Sequence, residues 1–131
     1  MTATVIQGDC QEFLESLPAD SVDLCVFSPP YTGARLYLED GADLGVARDT
    51  ETWVAWMLDV FRACSRVCKG LIVCVCDDQT RGYRYGMGPF LLAADLHRAG
   101  FNLRRPCIYR RVGIPGSGGP DWLRGDTEFI V

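Results

Sequence analysis

The chain has 131 residues, of which 48% are hydrophobic and 23% charged, and its formal net charge at pH 7 is −4. These values are typical of a globular domain and argue against a disordered or fibrous chain. The acidic balance excludes a surface built wholly to bind phosphates, although it allows a local basic patch. The length predicts one domain over residues 1–131.

No apolar run approaches the length that crosses a bilayer, and the N-terminus, Met-Thr-Ala-Thr, lacks the basic and apolar regions of a signal peptide. We therefore expect no membrane association and a cytoplasmic location. Basic residues gather late in the chain, at Arg98, Arg104, Arg105, Arg110, Arg111 and Arg124. Arginines beside strands are more often solvated surface than nucleic-acid contacts.

The seven cysteines are an odd number and form no Cys-x-x-Cys pair, a pattern that fits a reducing compartment. Five of them fall in predicted strands or on one helix face: Cys25, Cys64, Cys68, Cys74 and Cys76. We expect them to be small buried hydrophobic side chains. No metal site is expected, since no histidine cluster accompanies them and His97 is the single histidine.

The first quarter of the chain predicts a strand, a helix and a second strand, over residues 4–7, 10–17 and 22–27. Asp9, with Glu12 three residues later, has the spacing of a capping box, so helix capping alone explains the aspartate. The order predicts a βαβ unit with parallel strands.

Residues 22–27 are mostly apolar and predict a strand that is buried on both faces of a parallel sheet. Ser28-Pro29-Pro30-Tyr31 follows, and we call residues 28–31 the tip. Its prolines donate no backbone hydrogen bond and fix φ, so we expect an extended chain with carbonyls free to point outward and an exposed aromatic ring. Ligands of open α/β sheets bind just beyond the carboxyl ends of the strands, where this tip would lie.

The rest of the chain alternates helices, strands and glycine-containing loops. The sequence predicts a loop over 32–48, then a helix from the Asp49-Thr50 cap to about 68 that Lys69-Gly70 closes, and then a strand over 71–76. A loop over 82–88 and a helix over 89–99, stopped by Gly100, follow. The last predicted segments are a strand near a sheet edge over 101–111, a glycine-rich segment over 113–119 and a strand over 127–131. We expect a Rossmann-like α/β domain with a partial, mostly parallel sheet, helices on both faces and an antiparallel C-terminal strand pair. Because the chain ends within an apolar run, we also expect a fragment, or a domain that another chain completes.

The tip suits the chemistry of an aromatic amine. The Ser28 hydroxyl and the carbonyls beside the prolines can accept hydrogen bonds from an exocyclic amino group, while a flat ring stacks on Tyr31. Such bonds hold the amine protons and expose a lone pair that the ring otherwise delocalises. The arrangement favours transfer of an electrophilic group to nitrogen without a side-chain nucleophile.

These motifs resemble the β-class (permuted) amino DNA methyltransferases, which methylate cytosine N4 or adenine N6 with S-adenosylmethionine. The resemblance is carried by an ordered set: Ile6-Gln7-Gly8-Asp9, Ser21-Val22-Asp23-Leu24, Ser28-Pro29-Pro30-Tyr31, Lys69-Gly70-Leu71-Ile72-Val73, Ala99-Gly100-Phe101 and Asp126-Thr127-Glu128-Phe129-Ile130-Val131. It covers nearly the whole chain.

The resemblance implies a catalytic role for Ser28, Pro29, Pro30 and Tyr31, with Tyr31 stacking on a base rotated out of double-stranded DNA. It implies that Asp9 lies near the adenine of the cofactor. A serine at the first motif position favours cytosine N4 as the target, and adenine N6 is the alternative within the family. The resemblance also implies a role in restriction-modification, and the sequence does not say whether a restriction enzyme accompanies the chain.

The sequence departs from the family in two parts. The glycine-rich cofactor motif and the target recognition region are both absent, and residues 86–88 and 116–119 are better explained as turns. The chain would therefore supply the base-binding, N-terminal half of the site and only an edge of the cofactor pocket.

Three other interpretations stay open. Related tips modify RNA or the amide of a protein glutamine. A chain of this size can also be a non-catalytic or split half that pairs with a second chain. The simplest alternative is a generic α/β domain in which Pro29 and Pro30 only end a strand.

Overall fold

The computed structural model describes residues 2–32, 49–81, 84–110 and 127–131. The described helices are α1 (Cys10–Ser16), α2 (Thr50–Val67) and α3 (Gly88–Arg98), and the described strands are β1 (Val22–Phe27), β2 (Cys68–Cys76), β3 (Thr80–Arg81), β4 (Arg84–Tyr85), β5 (Cys107–Arg110) and β6 (Thr127–Ile130). All of the predicted loop over 32–48 except Thr32, and the glycine-rich segment over 113–119, fall outside these residues.

Four strands form an open mixed sheet in the order β1-β2-β6-β5, and β3 pairs with β4 in a small hairpin. β1 and β2 are parallel, whereas β6 is antiparallel to both of its neighbours. β1, β2 and β5 therefore run in one direction. The predicted α/β class and the antiparallel C-terminal pair are confirmed.

The core lies between one face of this sheet and the helices. Its buried residues come from α2 (Trp53, Val54, Met57 and Phe61), from β2 (Cys74 and Cys76) and from α3 (Leu92 and Leu96). Phe27 of β1 adds an edge-to-face contact with Phe61, at 5.7 Å between ring centroids. α2 is the central helix, and both α1 and α3 pack on it.

The opposite face of the sheet is not covered by any of the described helices. Leu24 and Val26 of β1 are 52% and 61% exposed, and Leu71, which pairs with Leu24, is 55% exposed. The prediction that residues 22–27 are buried on both faces is therefore wrong for the described part of the chain. Among the described strands, β1 lies at the end of the sheet order and pairs only with β2.

The predicted first strand over residues 4–7 is also wrong. These residues have no strand conformation, and Val5 is 97% exposed. A strand needs a ladder partner, and no described residue pairs with this segment. The chain therefore enters α1 directly, and the predicted βαβ unit is reduced to α1 followed by β1.

The junction between α2 and β2 differs from the prediction. Lys69 and Gly70 do not close the helix, because α2 ends at Val67 and β2 begins at Cys68. Gly70 is needed for a close approach instead: a Cβ at this position would lie 2.0 Å from the Asp23 carbonyl oxygen. The pairing of β1 with β2 shifts register between Val22 and Leu24, beside that contact.

The later elements agree more closely with their predicted positions. Gly100 follows α3 with φ +87°, a left-handed conformation that glycine adopts without strain. The predicted strand over 101–111 is confirmed only for β5, which lies at the end of the sheet order as expected. No helix in the described residues is long and apolar enough to span a membrane.

Candidate active site

The tip leaves the sheet at its carboxyl edge, directly after β1. Ser28 is exposed, Pro29 is buried, and Pro30 and Tyr31 are half-buried. The parallel neighbour β2 ends at the same edge with Asp77 and Asp78. Because β6 runs against β2, its first residues also lie at this edge. The tip is thus surrounded by polar side chains from segments that are distant in the sequence.

One anchor of the tip is Trp53 of α2. Its indole Nε1 donates a hydrogen bond to the Pro30 carbonyl oxygen at 2.7 Å, and the side chain is only 1% exposed. The expectation that both proline carbonyls are free is therefore wrong for Pro30. No donor among the described residues reaches the Pro29 carbonyl, so this oxygen and the Ser28 hydroxyl remain as acceptors for a ligand.

A second anchor holds Tyr31. Its hydroxyl donates to Glu128 Oε2 at 3.0 Å and lies 3.3 Å from Ser28 Oγ. The ring is half-buried and packs against the core, so the expected exposed aromatic face is only partly available. Burial, opposed by the Ser28 hydrogen bond and aided by Glu128, raises the pKa of Tyr31 to about 12. The phenol therefore stays protonated at neutral pH.

The third anchor is the carboxylate of Asp78, which follows β2. Hydroxyl donors come from Thr32, next to Tyr31, and from Thr50 at 2.9 Å; the backbone N–H of Gly88 donates from 2.9 Å and that of Gln79 from 2.7 Å. Thr32 is the one polar residue among those described that is buried. Asp78 thus joins the end of the tip to the beginnings of α2 and α3.

A polar cavity of about 240 Å³ opens beside this third anchor. Its lining residues are Thr32, Asp49, Thr50, Glu51, Asp78, Gln79, Arg84 and Gly86. Gly86 is constrained there, since a Cβ would lie 2.1 Å from Asp78 Oδ2. Nearby, Tyr85 donates to Asp77 at 3.0 Å, and burial together with Asp77 raises the pKa of its hydroxyl. The cavity reaches Thr32, next to the tip, and half of its lining residues already take part in the anchor.

Asp9 caps α1 as the spacing predicts. Its Oδ1 accepts from the backbone N–H of Gln11 at 2.7 Å and of Glu12 at 3.4 Å. Oδ2 accepts no hydrogen bond from the described residues, so it is available to a ligand. A cavity of about 300 Å³ lies beside it, lined by Thr4, Ile6, Gly8, Asp9, Cys10 and Phe13.

An apolar groove of about 420 Å³ connects these two regions along the free edge of β1. It is bordered by α1, β1 and α2, and it reaches from Phe13 to Pro30. Cys10 and Phe13 line both this groove and the cavity at Asp9. A ligand held beside Asp9 can therefore extend along β1 toward Ser28.

The cysteines mostly follow their prediction. Cys64, Cys68, Cys74 and Cys76 are buried, Cys25 is half-buried, and Cys10 and Cys107 are exposed. Burial and neighbouring thiols raise the pKa of Cys64 to about 12, which favours the unreactive thiol. Among the described residues, no three His, Cys, Asp or Glu side chains are grouped so that they could hold a metal ion.

The four late arginines that the structure describes do not form one patch. Arg104 and Arg105 border a cavity with Gly70 and Leu71, near the amino end of β2 and away from the tip. Arg98 ends α3 and pairs with Asp95. Arg110 ends β5 and pairs with Thr127, so it lies at the same edge as the tip. Arg111 and Arg124 fall outside the described residues.

Sequence reasoning missed the three anchoring side chains, Trp53, Asp78 and Glu128. Asp78 could have been found, because it follows a strand parallel to β1 and such ends meet at one edge. Trp53 fits the apolar spacing of α2, so the sequence does not indicate that its indole also holds the tip. Glu128 lies 97 residues beyond Tyr31, and only the observed pairing of β6 brings it close.

Comparisons with known proteins find similarity to DNA methyltransferases in sequence and in fold. No family model matches the chain. The chain is 36% identical over 66 residues to the DNA adenine methyltransferase YhdJ of Escherichia coli K12, a match to 50% of this chain and 21% of that protein.

Two solved structures share the fold over 94% of this chain. One is TTHA0409 of Thermus thermophilus, named for its proposed role as a DNA modification methylase and crystallised with S-adenosyl-L-methionine; it has a TM-score of 0.63 and 27% identity, and 49% of its length is covered. The other is the cytosine-N4-specific PvuII DNA methyltransferase, with a TM-score of 0.69, 18% identity and 45% of its length covered. The chain thus has a DNA methyltransferase fold and spans about half the length of these solved proteins.

Proposed function

We propose that the chain is the base-binding part of an S-adenosylmethionine-dependent DNA methyltransferase that methylates the exocyclic amine of a flipped base. The observation that carries this proposal is the anchored tip. It places the exposed Ser28 hydroxyl at the carboxyl edge of the sheet, beside the carbonyl of the buried Pro29, which no described donor reaches, while Trp53, Asp78 and Glu128 fix the residues around them.

The tip would act mainly by positioning. Two acceptors, Ser28 Oγ and the Pro29 carbonyl, would hold the protons of the amine, and the accessible part of the Tyr31 ring would stack on the base. Because the acceptors are already fixed, the reaction would need little rearrangement at this point. Extrusion of the base costs a few kcal/mol, which stacking and the hydrogen bonds would offset.

We favour cytosine N4 as the methylated atom, on the basis of the serine at the first motif position. The fold shared with the cytosine-N4-specific PvuII enzyme is consistent with this choice. The sequence similarity to an adenine methyltransferase supports the alternative, adenine N6.

The residues near Asp9 fit one edge of a site for S-adenosylmethionine. Ile6 and Phe13 offer exposed apolar surface for a flat ring, and Asp9 Oδ2 offers an acceptor beside it. The groove along β1 leads from this edge to the tip. When bound, the cofactor would supply an electrophilic methyl group to the amine that the tip holds.

We further propose that a second segment or chain completes the site. The free edge of β1 and the exposed Leu24, Val26 and Leu71 form an apolar surface that the described helices leave open. Burying such side chains stabilises a protein by about 1.5–3 kcal/mol each. The completing part would carry the glycine-rich cofactor loop and the DNA recognition region, and it would place double-stranded DNA against the tip.

A non-catalytic partner is the candidate from another class. The same open surface favours it, because an unpaired edge strand is a template for association. In that case the surface would bind its partner, while the tip would have no substrate.

The test is made in the cells that encode the chain. The chromosomal codon is changed to give Ser28→Ala or Tyr31→Ala, and the methylated nucleosides of genomic DNA are quantified by mass spectrometry. We expect both variants to lose N4-methylcytosine. A loss of N6-methyladenine instead would establish the adenine alternative, and no change in either nucleoside would contradict the enzymatic proposal.

A further inference from the structure

Three oxygen atoms form a continuous path from the surface of the tip toward β6. Ser28 Oγ lies 3.3 Å from the Tyr31 hydroxyl, which donates to Glu128 Oε2 at 3.0 Å. Ser28 is exposed, whereas Tyr31 and Glu128 are half-buried. The path therefore starts where a ligand can reach it and ends on a carboxylate inside the protein.

An amine that accepts a methyl group must lose one of its own protons. The nitrogen would give its electron pair to the new bond with the methyl carbon, the donor would keep the electron pair of the carbon bond that breaks, and the nitrogen would then carry one proton too many. A serine hydroxyl is a very weak base, and so is a backbone carbonyl, so neither can keep this proton. A carboxylate can, because its usual pKa is near 4.3 for glutamate. The tip itself contains none.

We propose that Ser28, Tyr31 and Glu128 form a proton relay, in which Glu128 is the final acceptor within the protein; this rests on the function proposed above. The surplus amine proton passes to Ser28 Oγ as the serine proton passes to the Tyr31 hydroxyl, whose own proton passes to Glu128 Oε2. Each hydroxyl breaks one O–H bond and forms another, so both are neutral before and after. The carboxylate becomes a carboxylic acid and later releases its proton to water.

Two further features suit Tyr31 to the middle position. Its raised pKa keeps the phenol neutral. A neutral hydroxyl can accept a proton from Ser28 only while it gives its own proton to Glu128. Its half-buried ring is held by the core, which fixes the hydroxyl between the serine and the carboxylate. Glu128 is held in turn by strand pairing, opposite Tyr109 of β5.

A competing explanation is that Glu128 only orients the Tyr31 ring. Glu128→Gln separates the two, because an amide oxygen still accepts the tyrosine hydrogen bond but is a very poor base. Tyr31→Phe keeps the ring and removes the hydroxyl. Glu15→Gln, on an exposed position of α1, is the matched control for the loss of one carboxylate.

The enzyme is purified from the source cells with any chain that it retains, and initial rates of methyl transfer are measured on unmethylated amplified DNA. General base catalysis contributes about 10²–10⁴-fold. We therefore expect Glu128→Gln and Tyr31→Phe each to lower kcat by about 100-fold or more with KM for DNA unchanged, Glu128→Asp to restore part of the rate, and Glu15→Gln to match the wild type.

Retention of wild-type kcat by Glu128→Gln would overturn the relay and leave only the orienting role. A wild-type preparation that methylates no DNA would overturn the function on which the relay rests, and with it the relay. The two failures are therefore distinguishable.

A readout without activity uses the purified chain with ¹³Cζ-labelled tyrosine. NMR titration gives the ionisation of Tyr31, identified by its loss in Tyr31→Phe. We expect Glu128→Gln to lower the pKa of Tyr31, because the neighbouring carboxylate raises it. An unchanged titration would show that the two side chains are not in contact and would overturn the relay.

Discussion

The carboxyl edge of the sheet and the free edge of β1 are built differently. At the carboxyl edge, the tip is tied to α2, β2 and β6 by side chains that are buried or half-buried. Along the edge of β1, Asp9 is exposed, Val5 is almost wholly exposed, and an apolar groove is open to solvent. Among the described residues, the tip is therefore fixed by its neighbours and the region along β1 is open, a difference that fits the proposal of a complete binding surface for the base and a partial one for the cofactor.

Replacement of Trp53, which anchors the tip, should have the largest effect on the free energy of unfolding. Trp53→Ala removes a buried aromatic side chain of the core and the donor to Pro30, so we expect a loss of about 3–5 kcal/mol in the free energy of unfolding. Trp53→Phe keeps most of the packing and loses mainly the hydrogen bond, so its loss should be smaller. Urea denaturation measures both, and equal losses would show that the bond to Pro30 contributes nothing.

Replacement of Asp78 should loosen the tip with the next largest effect. Asp78→Ala removes the carboxylate to which Thr32, Thr50 and the Gly88 N–H donate, and a hydrogen bond to a charged group contributes about 1.5–3 kcal/mol. The control is Asp59→Ala, whose exposed pair with Arg62 contributes roughly 0–1 kcal/mol. Equal urea midpoints for the two variants would contradict the anchoring role of Asp78.

Replacement of Asp9, in the open region along β1, should have a smaller effect on stability. Asp9→Ala removes the N-cap of α1, which costs about 1 kcal/mol, whereas Asp9→Asn keeps a side-chain oxygen for the cap. We expect calorimetry of the completed enzyme to show weaker S-adenosylmethionine binding for both variants, because both lose the charge beside the cavity. Unchanged binding by Asp9→Asn would reduce Asp9 to a helix cap.

The smallest predicted effect is the loss of stability at alkaline pH that the ionisation of Tyr31 causes. The pKa of Tyr31 is about 12 in the folded chain, above its ordinary value of 10.0, so the folded state holds this proton after the unfolded state has lost it. The stability from this group is complete below pH 10 and falls as the pH rises toward 12. Since the side chain is half-exposed, we expect less than about 1 kcal/mol.

The measurement is urea denaturation of the wild type and Tyr31→Phe at pH 9 and pH 11.5. The wild type should lose more stability than the variant over this interval, because groups common to both chains cancel. Parallel losses would show that the Tyr31 hydroxyl is not perturbed by folding.

The sequence predicted those structural features that are determined by local residue patterns. The bounds of β1, the start of α2 and the stop at Gly100 follow from β-rich apolar residues, an Asp cap and a glycine. The position of the tip followed from the rule for strand ends, and it holds.

The sequence could not predict what depends on pairing between distant segments. The exposure of Leu24 and Val26 depends on which helices pack on the sheet. An apolar run has the same sequence pattern whether or not a helix packs on it. The contact of Tyr31 with Glu128 depends on β6 lying between β2 and β5. Residues 4–7 likewise form no strand because none of the described segments pairs with them, and their β-propensity alone does not supply a partner.

The most direct test of the central claim is methyl transfer by the purified chain alone, measured with tritiated S-adenosylmethionine and unmethylated DNA. The claim that the base grip is finished and the cofactor site is not predicts no turnover without the completing part. Turnover by the chain alone that Ser28→Ala or Tyr31→Ala abolishes would contradict it, because the site would then be complete within these 131 residues.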